Sequence, residues 1–186
     1  MQAARQWRRV RALADQLDQT PETVELGINA RLMILGRLWR IGAASEEGLV
    51  PYEEEAATLF AEGEKFADAT GQAAVKVFFL CLYGVVRYMG EAVEDGYQYS
   101  LRATQLADEI GDPGLRVNAR MPLAFSLYRL GRLREAAAVA EEMIPIIGED
   151  RSLARGVVVP SPYGWCRLTR AIFAAHASLC DDSINH

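Results

Sequence analysis

Strand signals are nearly absent from this sequence, and so is any long apolar run. The most hydrophobic stretch, Val77 to Val86, is about half the length a bilayer-spanning helix needs, and Lys76 and Arg87 bracket it as they would a buried helix. A basic excess is missing too. The 20 Lys and Arg stand against 25 Asp and Glu, a formal net charge of −5, which is the wrong sign for a domain built around phosphate contacts. Cysteine is scarce: Cys81, Cys166 and Cys180 are too few and too scattered for a disulfide framework, and an odd count fits a reducing compartment. The N-terminus, Met1 to Arg9, carries charge with no apolar stretch behind it, so no secretory signal is read there. These absences predict a soluble, cytoplasmic protein with no nucleic-acid and no membrane partner.

What is present is helix. In 186 residues that are 51% hydrophobic, apolar side chains recur three and four apart almost throughout, and Gly or Pro clusters punctuate the chain at helix-length intervals. Trp7, Val10, Ala14 and Leu17 line one stripe opposite Arg5, Arg8 and Arg9, an amphipathic pattern. Thr20-Pro21 and Asp112-Pro113-Gly114 read as turns with a cap and a Pro at the next helix start. The spacing predicts helices over residues 3–18, 22–43, 52–69, 72–89, 92–110, 114–130, 133–147 and 162–180.

These helices repeat in pairs. Asn29-Ala30-Arg31 leads to Leu38-Trp39-Arg40-Ile41-Gly42, and Asn118-Ala119-Arg120 leads, at the same spacing, to Leu127-Tyr128-Arg129-Leu130-Gly131. A divergent copy, Val77-Phe78-Phe79 to Arg87-Tyr88-Met89-Gly90, lies between them. The alternate helices share Leu13-Ala14-Asp15, Phe66-Ala67-Asp68 and Leu106-Ala107-Asp108. One hairpin cannot bury its own apolar stripe, whereas stacked neighbours can. The expected organisation is a single domain: a half repeat over 1–20, hairpins over 21–71, 72–111 and 112–150, and a lone helix over 160–181. Gly131 supplies the left-handed residue of a tight turn, and Ala136, five residues on, sits where two helices approach. Counting five residues from Gly42 and Gly90 in the other copies gives Glu47 and Asp95.

Leu130-Gly131-Arg132-Leu133-Arg134-Glu135-Ala136 resembles the interhelix signature of tetratricopeptide repeats. With Leu101 to Asp112, Asp112 to Ile147 and Ser161-Pro162-Tyr163-Gly164-Trp165, the chain is similar to the helical-repeat region of large bacterial signalling proteins that join a class III adenylate or guanylate cyclase to an ATPase. The resemblance implies an all-α, right-handed superhelix of about four hairpins, the last incomplete. It also implies a groove lined by Asn29, Trp39 and Arg40, by Arg87 and Tyr88, and by Asn118, Phe125, Tyr128 and Arg129, carried over through the Gly anchors. Aromatic side chains beside Arg are what peptide-binding hot spots are made of. Arg31 and Arg120, with Arg170 as a third equivalent, fall at a packing position and should each find a carboxylate.

Catalytic motifs are missing. A P-loop needs a Gly-rich turn ending in Lys and Ser or Thr, and neither of the two lysines, Lys65 and Lys76, follows one. No metal-binding aspartate pair on a strand is legible, and no Ser-His-carboxylate set. His176 and Cys180 sit four apart on one helix face, short of the ligands a zinc centre requires. Acidic clusters at Glu53-Glu54-Glu55, at Glu91, Glu94 and Asp95, and at Glu141-Glu142 suit helix starts and solvated faces. The expectation is a non-enzymatic interaction module with no cofactor, whose partner is a protein or peptide segment or a neighbouring domain of the same parent chain. Its rivals are a small-molecule sensor and an all-helical enzyme. The last helix predicts an uncapped apolar stripe at Ile172, Phe173 and Leu179, hence a fragment or truncated product open to self-association.

Overall fold

The structure, a computed structural model, describes residues 2–42, 49–154 and 161–184, with side chains over 5–38, 52–154 and 161–176. The described residues form helices and no strand. The helices are α1 (Gln2–Ala14), α2 (Pro21–Gly42), α3 (Leu49–Thr70), α4 (Ala73–Met89), α5 (Val93–Ile110), α6 (Pro113–Arg129), α7 (Leu133–Ile147) and α8 (Pro162–Ile184). Three even-numbered helices begin alike, with a hydroxyl or carboxylate cap followed by Pro. Thr20 Oγ1 accepts from Thr23 N at 3.3 Å, Asp112 Oδ1 from Leu115 N at 2.8 Å and Ser161 Oγ from Gly164 N at 3.4 Å, each satisfying a donor the helix leaves open. Two ends differ from expectation. Helix α3 starts at Leu49, because Pro51 falls in the first turn, where its missing N–H is not needed. Helix α1 stops at Ala14, and the Asp15 carboxylate is held by Arg31.

Each helix packs on its sequence neighbours, and the even helices also pack in turn on one another, α2 on α4, α4 on α6 and α6 on α8. The odd helices meet each other through side-chain ion pairs: Arg8–Glu55 and Arg11–Glu62 join α1 to α3, and Arg102–Glu64 joins α5 to α3. One apolar cluster, centred on Ile34, Leu35, Leu59, Phe79 and Leu80, runs from α2 to α6. Val117, Met121, Met143 and Cys166 continue it through α6, α7 and α8.

Pro122 lies inside α6 and so cannot donate to the Asn118 carbonyl one turn back. The Cys81 thiol of α4 lies 3.8 Å from that carbonyl oxygen and donates to it. The interior Pro thus leaves open an acceptor that the preceding even helix uses.

The hairpins α4–α5 and α6–α7 start 40 residues apart, at Ala73 and Pro113 and at Val93 and Leu133. The same spacing relates Gly71 to Gly111, both left-handed at φ +65° and +78°, and the bridge Asp68–Lys76 to Asp108–Arg116, each 2.8 Å. This corrects the glycine register read from sequence. Gly131 is left-handed at φ +74°, but Gly90 has φ −79° and closes α4 in an extended conformation, so Gly131 corresponds to Glu91. The counterpart of Ala136 is therefore Gly96, not Asp95.

Arg31 and Arg120 each find the expected carboxylates, one on either side. Arg31, 3% exposed, donates from Nη2 to both carboxylate oxygens of Asp15 at 2.8 and 2.9 Å and from Nε to Glu62 at 2.8 Å. Arg120 is bidentate to Asp108 at 2.9 and 3.0 Å and reaches Glu142 at 3.1 Å. Each guanidinium ties an even helix to the odd-type segments before and after it. The hydrogen bonds from Arg120 and Arg116 hold the Asp108 carboxyl below its ordinary value of 3.8. A lowered folded-state pKa contributes stability above the unfolded value and loses it as pH falls through the folded one. Asp108→Asn should therefore cost about 0.5–1 kcal/mol at neutral pH, because the Asp108 side chain is 40% exposed and solvent screens the pair, with the gap to the parent closing in acid. Urea denaturation at pH 7 and below pH 3.8 checks this; a gap independent of pH would refute it.

Candidate functional site

The nine residues expected to line a groove do not form one row. Arg87 is half-buried between α3 and α5, with its guanidinium 2.7 Å from Asp95 and 3.8 Å from Glu53. Tyr88 is only 8% exposed, and burial pushes its phenol above the ordinary value. Asn118 is 3% exposed, and its Nδ2 donates to Gly114 O at 2.9 Å. Tyr88 and Asn118 are corrections: both are packed inside, because their positions face neighbouring helices and not open solvent. Asn29, the twin of Asn118 by sequence, is exposed on α2, and Arg129 is exposed at the end of α6. Trp39 and Arg40 lie on the last turn of α2, and their side chains fall outside the described residues.

Phe125 and Tyr128 come together with residues that sequence did not single out for binding. Phe125 meets the edge of Trp165 at 5.5 Å and of Phe173 at 5.6 Å between ring centres. Tyr128 stacks on Phe173 at 4.7 Å and on His176 at 5.6 Å, and its hydroxyl lies 2.9 Å from His176 Nδ1. This aromatic seam joins α6 to α8. Its sequence signal is the spacing Trp165, Phe173 and His176, which places three rings on adjoining faces of one helix. Phe173, expected in an open stripe, is 1% exposed because it fills this seam; Ile172 is 39% exposed; the side chain of Leu179 is outside the described residues. A second cluster, Phe60, Tyr83 and Tyr99, has ring centres 4.5 to 5.1 Å apart and packs α3, α4 and α5 together.

Among the described residues, the two thiols are buried. Burial pushes the Cys81 thiol up to about 12 and the Cys166 thiol up to about 11, far from the thiolate that nucleophilic or redox chemistry uses. Among the described residues, no group of three or more His, Cys, Asp or Glu converges as metal ligands would, and no helix is long and apolar enough to cross a membrane. His176 bonds Tyr128; Cys180 is outside the described side chains. Among the expected groove residues with described side chains, the end of α6 and the adjoining part of α8 bring exposed groups together: Arg129 one turn from half-buried Phe125, with Trp165 37% exposed against it. No family model, no curated protein and no solved structure matches the chain.

Proposed function

We propose that the chain is a non-catalytic protein-interaction module, a right-handed superhelix of tetratricopeptide-like hairpins. It would serve as one region of a larger signalling protein of the cyclase and ATPase type. The observation that carries this reading is the order of helix contacts. Among the described residues, each helix packs on its sequence neighbours, even helices also touch the next even helix, odd helices meet the next odd one through ion pairs, and no helix–helix packing reaches further along the chain. Units in a line, each covering the next, suit an extended array better than a bundle around one centre.

Such an array has long faces on which an extended segment or a neighbouring domain can lie, and small shifts between hairpins would relay its presence. Arg129, Phe125 and Trp165 are the binding residues best supported, because they place an exposed guanidinium near aromatic rings already held in place by packing. The buried thiols of Cys81 and Cys166 and the charges engaged in interhelix bridges favour binding over chemistry. The test is to pan a random peptide library against the protein and measure selected peptides on variants. Arg129→Ala and Trp165→Ala should each weaken binding about tenfold or more, while Arg102→Ala, on the odd-helix side, should leave it unchanged. Selected peptides that bind all three variants as tightly as the parent would overturn the assignment.

A further inference from the structure

The two ends of the helix row differ from its middle. On α2, Leu26 and Met33 are 42% and 41% exposed, with Asn29 exposed between them. Aligned through Asn29 with Asn118 and Arg31 with Arg120, their counterparts on α6 are Leu115, Asn118 and Pro122. All three are buried, on the side where the backbone of Asn118 meets Cys81 of α4. Helix α2 therefore turns to solvent the face with which α6 receives the preceding even helix. Helix α1 repeats the pattern. Leu106, in the Leu-Ala-Asp motif of α5, packs on the core shared with α4, whereas the matching Leu13 is 51% exposed and Leu17 is 55% exposed. Leu13 of α1 and Leu26 and Met33 of α2 are thus exposed apolar side chains, the seat that an even-type helix would cover.

Helix α8 is an even-type helix with a matching open side. Where α6 buries an unbroken run from Val117 to Ala124, α8 buries about one residue per turn, namely Pro162, Cys166, Thr169 and Phe173. Leu168 and Ile172 stay 56% and 39% exposed, with Ala171 and Ala175 beside them, while Arg167 and Arg170 project from the other flank.

We propose that α8 of one copy docks in the seat formed by α1 and α2 of the next, so that molecules join head to tail. The inference rests on the stacked-hairpin reading above. Charge supports a second copy as the occupant. Docked this way, α1 lies beside α7 as α5 lies beside α3, where Arg102 pairs with Glu64. The residue of α1 at the place of Arg102 is Arg9, exposed like Arg5, while Arg8 and Arg11 hold Glu55 and Glu62. Helix α7 offers exposed Glu141 beside the Glu142 that holds Arg120. A contact between unlike ends uses neither up completely, so it propagates instead of stopping at two.

Sedimentation of the full chain from micromolar to submillimolar concentration tests this. The weight-average mass should rise past twice 20.6 kDa and fall back as salt is raised. Leu13→Asp and Leu168→Asp, both at exposed positions, should each remain monomeric, because each removes one end. Their mixture should form a dimer and nothing larger, since only the intact head of one and the intact tail of the other can meet. A parent that is monomeric throughout, a parent that stops at a dimer, or a mixture that stays monomeric would each overturn the proposal. X-ray scattering from monomeric Leu168→Asp separates the two readings. An elongated particle keeps the stacked array even if self-association fails; a spherical one removes the array and the docking with it.

Discussion

Gly96→Ala is expected to destabilise the protein by about 3 kcal/mol, at the upper end of what one added methyl does in a packed interior. A Cβ at residue 96 would stand 2.6 Å from the backbone N of Tyr88, 2.7 Å from its Cβ and 2.9 Å from the Gly84 carbonyl oxygen. Two of those three neighbours are main chain, which cannot swing aside as a flexible side chain can. Helices α4 and α5 must then separate, and Ser100, whose hydroxyl donates to Gly96 O at 2.8 Å, moves with them. The equivalent place in the next hairpin is held by Ala136, fully buried, so the α6–α7 pair already accommodates a methyl group there. Ala136→Gly should cost only about 1 kcal/mol, the backbone and packing loss of a helix-interior glycine. Denaturant melts of the two variants decide the matter: equal effects would mean that α4 and α5 are not in the close contact described.

Gly96 also marks how far the fold can be read from sequence. The eight helices of the described residues are legible, most to within a few residues, because their ends are set by local chemistry: a cap and Pro before α2, α6 and α8, and left-handed Gly71, Gly111, Gly131 and Gly148 after α3, α5, α6 and α7. The demand for carboxylates around Arg31 and Arg120 is legible too, since a buried guanidinium has few alternatives. The register between hairpins is not. Gly90 looks like Gly131 in sequence, yet its φ of −79° is open to any residue, so aligning the two shifts one hairpin by a residue. On a helix that is a rotation of about 100°, enough to turn Tyr88 from a surface aromatic into a core one.

The binding residues are harder still, for a reason that no local pattern carries. Asn29-Ala30-Arg31 and Asn118-Ala119-Arg120 are the same three residues in the same helical setting, and the two arginines make the same bridges. Asn118 is nonetheless buried and Asn29 exposed, because α6 has an even helix on either side and α2 has one on only one side. Exposure here is a property of rank in the row. The same cause separates Leu13 from Leu106 and leaves Leu168 uncovered. A repeat motif therefore identifies which side chains can line a surface, while neighbours decide which of them do.

The other large effect is expected at Phe79 of α4, which is fully buried. Its ring lies against Gly63 of α3, in the space where a Cβ on residue 63 would stand. Phe79→Ala should cost about 3–5 kcal/mol, the range for emptying an aromatic site that cannot collapse. It should lower the stability of the whole chain, because the cluster it belongs to extends from α2 to α6. Gly63→Ala in the parent should also destabilise, since the new methyl meets a ring that is boxed in and has nowhere to turn. In Phe79→Ala the same methyl enters the emptied space, so the double variant should be more stable than the sum of the single effects by at least about 1 kcal/mol. Strict additivity in a denaturation cycle would show that α3 and α4 do not meet at this pair. The contact matters beyond stability, because α3–α4 is the step between the first hairpin and the second. In the proposed stacked array, a bend passing from the first hairpin to the second would act here through a phenyl ring seated on a residue that has no side chain.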